Sequence, residues 1–423
     1  MTSEPTEWRT FDSRLGTHVL VLRGSQIIDV EAEDAAGLSD YSLAAFLDEG
    51  VRSNLGMVPS VVPQNLSLNV TSACNLACDY CYAGRGAFGG AQSGAMTAAV
   101  AEESVDTLLA GCDRRSYATI GFLGGEPFLH RRLVHHLVEY AARRAADLGQ
   151  PIGFSVTTNG TLLDADDLDL LRSHRFSVTV SLDGGRAVHD RRRIWLAGQG
   201  SWDDTMARVR PLLADSGSAE VSARATLTRD DLDLADRHDA LAAEGFRSIG
   251  FAPVRVGDGA LGDADWPRWL AASVALAERE LDVIRGGGDT SFDNFRVALR
   301  RLEAGSSSPY PCGAGGGYAS VSTAGQWFAC HRAIGDDDYL LGDDAVAVDP
   351  ARQQRFLEAH HVERVEPCRS CWARYLCSGG CHQEAATRTD AACDAIRGWL
   401  EFCLDAYCVV SSERPEWFKS GGS

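Results

Sequence analysis

Three cysteines spaced as Cys74-Asn-Leu-Ala-Cys78-Asp-Tyr-Cys81 constrain this chain more than any other stretch. They follow Leu66-Ser-Leu-Asn-Val70, whose alternation of apolar and polar residues predicts a short strand. The thiolates therefore sit in a loop just past a strand end. Three thiolates this close can ligate three irons of a cubane cluster and leave the fourth iron open to a small molecule. A structural zinc site is the competing reading. Zinc prefers four protein ligands, usually as two close pairs, and no fourth ligand lies nearby in the sequence.

The 13 cysteines could also signal a disulfide scaffold, but the 423-residue chain is long and its start lacks a charged segment followed by an apolar one. We therefore expect no secretory signal, a cytoplasmic setting, and cysteines that serve as metal ligands or catalytic thiols. No apolar run is long enough to span a bilayer, so no membrane partner is expected. The formal charge of −19, from 59 acidic against 40 basic residues, argues against nucleic acid and permits a basic partner. Length allows two or three domains, and 45% hydrophobic content is ample for their cores.

Residues 1–63 read as a small α+β segment. Thr17–Leu22 and Ser25–Val30 flank Arg23-Gly24 and predict a hairpin, Ser42–Asp48 predicts a short helix ending near Gly50, and Pro59 and Pro63 mark a linker. From 64 onward, strands are expected at Leu66–Val70, Ala118–Leu123, Ile152–Thr158, Ser177–Leu182, Val221–Leu227 and Ser248–Ala252. Helices are expected between them, at Ala98–Ala110, Arg131–Ala146, Ala165–Ser173, Asp204–Leu213 and Leu232–Ala243. Two more follow, at Pro267–Ile284 and Phe292–Glu303, before the Gly305-Ser-Ser-Ser308 hinge. Such alternation gives an α/β fold of parallel strands with right-handed crossovers, and the loops after the strands then carry the chemistry.

Three of those loops are distinctive. Leu123-Gly-Gly-Glu-Pro127 combines glycines that admit a ligand close to the backbone with carbonyls and Glu126, which can accept from an ammonium group. Thr157-Thr-Asn-Gly160 and Ser181-Leu-Asp-Gly184 place small polar side chains, Asn159 and Ser181 among them, at the ends of the third and fourth strands. Asp183 can instead cap a turn. With CxxxCxxC upstream, these loops resemble the radical SAM enzymes, in which S-adenosylmethionine fills the open iron and one electron releases a 5′-deoxyadenosyl radical. The resemblance implies a partial (β/α)6 barrel over 64–304. It also implies cofactor-binding roles for Tyr80, Gly124, Gly125, Glu126, Asn159, Ser181 and Arg193. Tyr80 would pack against adenine and Arg193 would pair with the carboxylate. Phe88 and Tyr82 read as loop or core residues, and Arg193 competes with a plain surface role beside Arg191 and Arg192.

From residue 305 cysteine and glycine density rises. Cys312, Gly325 and Cys330 are followed by Cys368, Cys371, Cys377, Cys381 and Cys393. This pattern resembles the SPASM extension of radical SAM enzymes that modify peptides and proteins. Two zinc ribbons are the structural alternative. By the resemblance, Cys312, Cys330 and Cys381 hold a first auxiliary [4Fe-4S] cluster, and Cys368, Cys371, Cys377 and Cys393 a second. Sulfatase-maturing relatives carry a further cysteine just before the first of the pattern. Here Gly305–Pro311 has none, so the first auxiliary cluster is expected to have an open iron. Cys112, Cys403 and Cys408 are left over. The last two lie on an apolar helix over Trp399–Val410, and Cys403 is the alternative to Cys393.

The resemblance implies an enzyme that installs a cross-link, thioether or carbon–carbon, in a ribosomally made precursor peptide, with an external electron donor of flavodoxin or ferredoxin type. In such enzymes the N-terminal segment often binds a leader peptide, and residues 1–63 resemble only part of that domain. One rival is a sulfatase maturase that makes formylglycine; those enzymes have an aspartate after the cysteine of Gx4C, whereas this chain has His331 and Arg332. Another is an iron–sulfur electron carrier, which leaves the barrel pattern unexplained.

Overall fold

In a computed structural model the described residues are 7–31, 63–84, 94–306, 308–343 and 346–419. Six parallel strands form the frame: β4 (Asn65–Thr71), β5 (Ala118–Gly124), β6 (Ile152–Thr158), β7 (Phe176–Ser181), β8 (Ala219–Leu227) and β9 (Ile249–Pro253). Helices cross between them in sequence: α1 (Ala98–Gly111), α2 (Arg131–Leu148), α3 (Ala165–Ser173), α4 (Trp202–Ala214) and α5 (Leu234–Ala243). Each expected strand and helix lies where alternation placed it, within a few residues. The α5 start moves from Leu232 to Leu234 because the Asp233 side chain accepts from Asp236 N and fixes the first turn there. Asp164 does the same for α3 in a reciprocal capping box with Asp167.

The strands bury one set of residues and leave the other set small. Leu66, Leu68, Val70, Ile120, Phe122, Phe154, Val156, Val178 and Val180 face outward into the helices and form the core. The inward set includes Ser67, Gly121, Ser155, Thr179 and Ser222. A Cβ on Gly121 would stand 2.9 Å from the hydroxyls of both Ser67 and Ser155, and Thr179 Oγ1 lies 3.3 Å from Ser222 Oγ. A parallel sheet usually carries apolar side chains on both faces. Here serine, threonine and glycine make the inner face, the barrel's lumen, small and polar.

The sheet continues beyond β4. Strands β10 (Tyr318–Val321), β11 (Trp327–Phe328) and β12 (Leu340–Gly342) extend it, β10 running parallel to β4 and the other two antiparallel. The position expected for a boundary, near 305, is thus not an edge of the sheet. Helices α6 (Asp265–Arg285) and α7 (Asp293–Ala304) follow β9, α8 (Pro350–His360) follows β12, and α9 (Asp390–Glu413) returns to the barrel exterior. There Trp399 and Phe402 pack on Phe295, with ring centroids 6.3 and 5.9 Å away.

The N-terminal hairpin pairs as β2 (Gly16–Val21) with β3 (Gln26–Asp29), and a third strand, β1 (Trp8–Ser13), joins β2. The sequence reading missed β1, whose Trp-Arg-Thr-Phe-Asp-Ser run has few β-branched residues. Arg9 and Arg14 tie this sheet to Glu401 and Asp405 of α9. The expected helix at Ser42–Asp48 and the linker residue Pro59 lie outside the described residues, as does Phe88.

Candidate functional site

The cysteine triplet leaves β4 at the carboxyl ends of the strands. Its loop is pinned at three points. Leu76 is buried and bridges to Trp195, Ala77 N donates to Ile194 O at 2.8 Å, and Asn75 reaches Asn159 and Thr161. This holds Cys74, Cys78 and Cys81 half-buried on one loop. Burial pushes the Cys74 thiol up to about 11 and raises Cys78 as well. Thiols in such surroundings lose their protons only when a metal takes the thiolate.

Gly124 and Gly125 bring β5 against the segment entering that loop. Gly125 N donates to Thr71 O and Glu126 N to Ala73 O, both at 2.9 Å. Gly124 has φ +141, and a Cβ there would lie 2.2 Å from Thr71 O. A Cβ on Gly125 would lie 2.1 Å from Ala73 O. Only glycine fits at either position.

Several side chains read from sequence as facing a cofactor are held by the protein. Glu126 is fully buried and accepts from Thr158 Oγ1 and Asn159 N, each at 2.7 Å, and from Phe128 N at 3.2 Å. Burial raises its pKa to about 7, against the pull of those donors. Asn159 gives its amide to Asn75 Oδ1 at 2.9 Å and its carbonyl oxygen to Thr161 N and Oγ1. Its side chain thus braces the cysteine loop. Tyr80 OH donates to Asp183 Oδ2, and Arg193 Nε stands 3.1 Å from Asp183 Oδ1 while its guanidinium lies over the Tyr80 ring at 5.4 Å. Burial opposes the Asp183 charge, yet Arg193, Tyr80 and Thr226 N hold this carboxyl below the usual carboxylate range. Ser181, half-buried at the end of β7, stands level with Arg224 of β8.

The seven C-terminal cysteines separate into two groups. Cys330 is within electrostatic reach of Cys381 and Cys312. Cys377 is within reach of Cys368, Cys371 and Cys393. Burial raises Cys330 and Cys377 to about 11 each. Among the described residues no three His, Cys, Asp or Glu side chains stand close enough to share a single metal ion. A cubane spreads its thiolates around four irons, so its donor set is wider than a zinc site, and soft thiols suit it. The residues present could hold clusters of that kind. Cys403 is fully buried on α9, ten residues or roughly 15 Å along the helix from Cys393. No other cysteine reaches it. Cys112 and Cys408 are buried too.

Between the triplet and the first group, the lumen wall carries residues that sequence reading did not single out together. Tyr318 OH lies 2.9 Å from His331 Nδ1, and Arg332 lies over the Tyr82 ring at 5.0 Å. Arg332 also bonds Glu384 at 2.7 Å. Burial, with Arg332 beside it, lowers His331 to about 4. Tyr82, read as a loop or core residue, is exposed into this space. Asn75, inside the motif, and Thr161, just past Asn159, were findable only by their nearness to it.

The Radical SAM superfamily profile matches residues 68–214, which span β4 to α4 and the whole cysteine loop. These residues form a radical SAM domain. The chain is 27% identical to the mycofactocin maturase MftC of Mycolicibacterium smegmatis, over 75% of this chain and 78% of that protein. It is 25% identical to the serine-type anaerobic sulfatase-maturating enzyme of Klebsiella aerogenes, over 77% and 82% respectively. Among solved structures, native anSMEcpe with bound AdoMet superposes with a TM-score of 0.71 at 20% identity, covering 82% of this chain and 99% of that one. Streptococcus suis SuiB bound to precursor peptide SuiA gives 0.53 at 12% identity, covering 92% and 98%. These structures share the fold.

Proposed function

We propose that the chain is a radical SAM maturase that modifies a ribosomally made peptide, forming a thioether or carbon–carbon cross-link. The observation that carries the reading is the contact between the two cysteine groups: Tyr82, next to Cys81, lies against His331 and Arg332, next to Cys330, and is within electrostatic reach of both thiols. The likeness to a mycofactocin maturase, and to the fold of SuiB, which was solved with its precursor peptide SuiA, supports a maturase reading.

In this reading Cys74, Cys78 and Cys81 hold the cluster that binds S-adenosylmethionine. Cys312, Cys330 and Cys381 hold a first auxiliary cluster, and Cys368, Cys371, Cys377 and Cys393 a second. When bound, the first of these with S-adenosylmethionine supplies a radical able to abstract hydrogen from carbon. Gly124 and Gly125 keep the loop against β5, and Asn159 fixes its orientation through Asn75. The buried Tyr80–Asp183–Arg193 group backs the loop from β7. Ser181 remains the best placed of these for a ribose hydroxyl. The polar lumen admits an extended peptide backbone, whose amides need partners that serine and threonine give. An external reduced flavodoxin or ferredoxin would deliver the electron, in the cytoplasm. We assign 64–304 to the barrel, 305–423 to the cluster-bearing extension and 1–63 to a separate N-terminal segment.

Formylglycine formation is the second reading, favoured by the sulfatase-maturating relatives. Against it stands His331, bonded to Tyr318, where those enzymes place an aspartate.

The test is anaerobic turnover of S-adenosylmethionine by the reduced, reconstituted protein. Release of 5′-deoxyadenosine is expected from the wild type and not from Cys74→Ala/Cys78→Ala/Cys81→Ala. Cleavage by the triple variant at the wild-type rate would sink the assignment.

A further inference from the structure

On the inner face of the barrel, Arg224 has no hydrogen bond or ion pair within 4 Å among the described residues; Asp293 is the one carboxylate that acts on it. On β8 the residues alternate outward and inward, with Ala223 and Ala225 buried against the helices. Ser222, Arg224 and Thr226 therefore point inward. Arg224 is exposed, and the space it is exposed to is the barrel interior. Among the described residues it has no hydrogen bond and no ion pair. The other nearby arginines differ: Arg332 bonds Glu384, Arg255 Nε stands 2.9 Å from the same carboxylate, and Arg193 pairs with Asp183. Enclosure by protein lowers the Arg224 pKa, Arg332 adds to the lowering, and Asp293 offsets them only in part. A guanidinium with no hydrogen-bonded acceptor of its own is free to take a carboxylate from a bound molecule.

The backbone beside it is cut to fit. Gly250 of β9 pairs with Arg224, and a Cβ on Gly250 would stand 2.7 Å from Arg224 Nη1. The missing side chain makes the slot in which the guanidinium lies. The charges that act on Arg224 belong to α7 and to the segment after Cys330, not to the Cys74–Cys81 loop. Arg224 stands level with Ser181 of β7 on one side and beside Gly250 of β9 and Asp293 of α7 on the other.

We propose that Arg224, seated over Gly250, is a subsite for a carboxylate of the peptide substrate, either an Asp or Glu side chain or the peptide C-terminus. A guanidinium fork meets a carboxylate through two parallel hydrogen bonds, which orients as well as attracts. The subsite rests on the maturase reading above and deepens it by naming a feature of the substrate.

The test uses reconstituted holoenzyme and synthetic random hexapeptide libraries made with free and with amidated C-termini. Wild type is expected to enrich carboxylate-bearing peptides. Enrichment of Asp or Glu from the amidated library identifies a side chain, and enrichment confined to the free library identifies the terminus. Arg224→Gln should cut that enrichment at least tenfold, Arg224→Lys should retain part of it, and Gly250→Ala should weaken it by displacing the guanidinium. The dissociation constant for S-adenosylmethionine is read alongside by equilibrium dialysis, with circular dichroism as the check on folding. Three results overturn the subsite: no carboxylate preference in the wild type, unchanged preference in Arg224→Gln, or a tenfold loss of S-adenosylmethionine affinity in that variant, which would make the carboxylate the cofactor's. If the wild type cleaves S-adenosylmethionine yet shows no carboxylate preference, the subsite falls and the maturase reading stands.

Discussion

Asn159 Oδ1 accepts from Thr161 N and Oγ1, and its Nδ2 donates to Asn75 Oδ1 and, at 4.0 Å, to Cys74 Sγ, which couples the end of β6 to the cysteine loop. Truncation to alanine leaves the Thr161 donors and the Asn75 carbonyl without partners. A buried polar group so stranded costs about 1–3 kcal/mol. Asn159→Ala should therefore lower unfolding free energy by about that amount and reduce iron retention on gel filtration; equal stability with normal iron would show the brace to be dispensable. His189 makes a pH prediction. It is fully buried, its Nε2 lies 2.9 Å from Ser201 Oγ, and burial lowers its pKa to about 3. A folded pKa below the unfolded value means that the unfolded chain binds more protons between about 6.5 and 3. The stability is present above pH 6.5 and is lost as pH falls through that window, by about 1 kcal/mol at pH 6. Chemical denaturation at pH 7.5 and pH 6 should show that loss in the wild type and a smaller one in His189→Gln.

At the scale of elements, the turn after β5 decides whether the loop after β4 can dock. Gly125→Ala places a methyl 2.1 Å from Ala73 O, and two backbone segments must part to admit it. Gly94, where a Cβ meets nothing within 4 Å, supplies the control. After anaerobic reconstitution, the absorbance near 400 nm per protein should fall severalfold in Gly125→Ala and stay level in Gly94→Ala. Equal absorbance in both would mean that the loop docks without the close approach. The N-terminal strands and α9 form a second such unit, joined by the Arg14–Asp405 ion pair.

For the molecule as a whole, iron content tests the three sites together. Three cubanes of four irons amount to about twelve irons per chain. The triple alanine variant at Cys74, Cys78 and Cys81 should keep about eight of them. Cys403→Ala should keep all twelve, because that thiol is core packing, while Cys393→Ala should lose iron from one auxiliary site. Iron near four with zinc present would favour the zinc-ribbon reading of the C-terminal cysteines.

Strand and helix positions were legible in the sequence because one face of each strand is apolar and the other is small and polar. Leu66-Ser-Leu-Asn-Val70 and Phe176-Ser-Val-Thr-Val180 announce that alternation directly. The short loop of Cys74, Cys78 and Cys81 keeps those thiols together, whereas the grouping of Cys381 with the distant Cys312 and Cys330 was implied by the resemblance and not by loop length. What the inward faces enclose was not legible, because alternation reports that a face is polar without reporting whether it meets water, protein or a ligand. The fates of Glu126, Asn159 and Tyr80 depended on which donors the neighbouring strands bring within 3 Å, a matter of register between segments far apart in the chain. Arg224 was invisible for the same reason. A single arginine in a strand reads as a surface charge until the curl of the sheet turns it to the inner face beside Gly250.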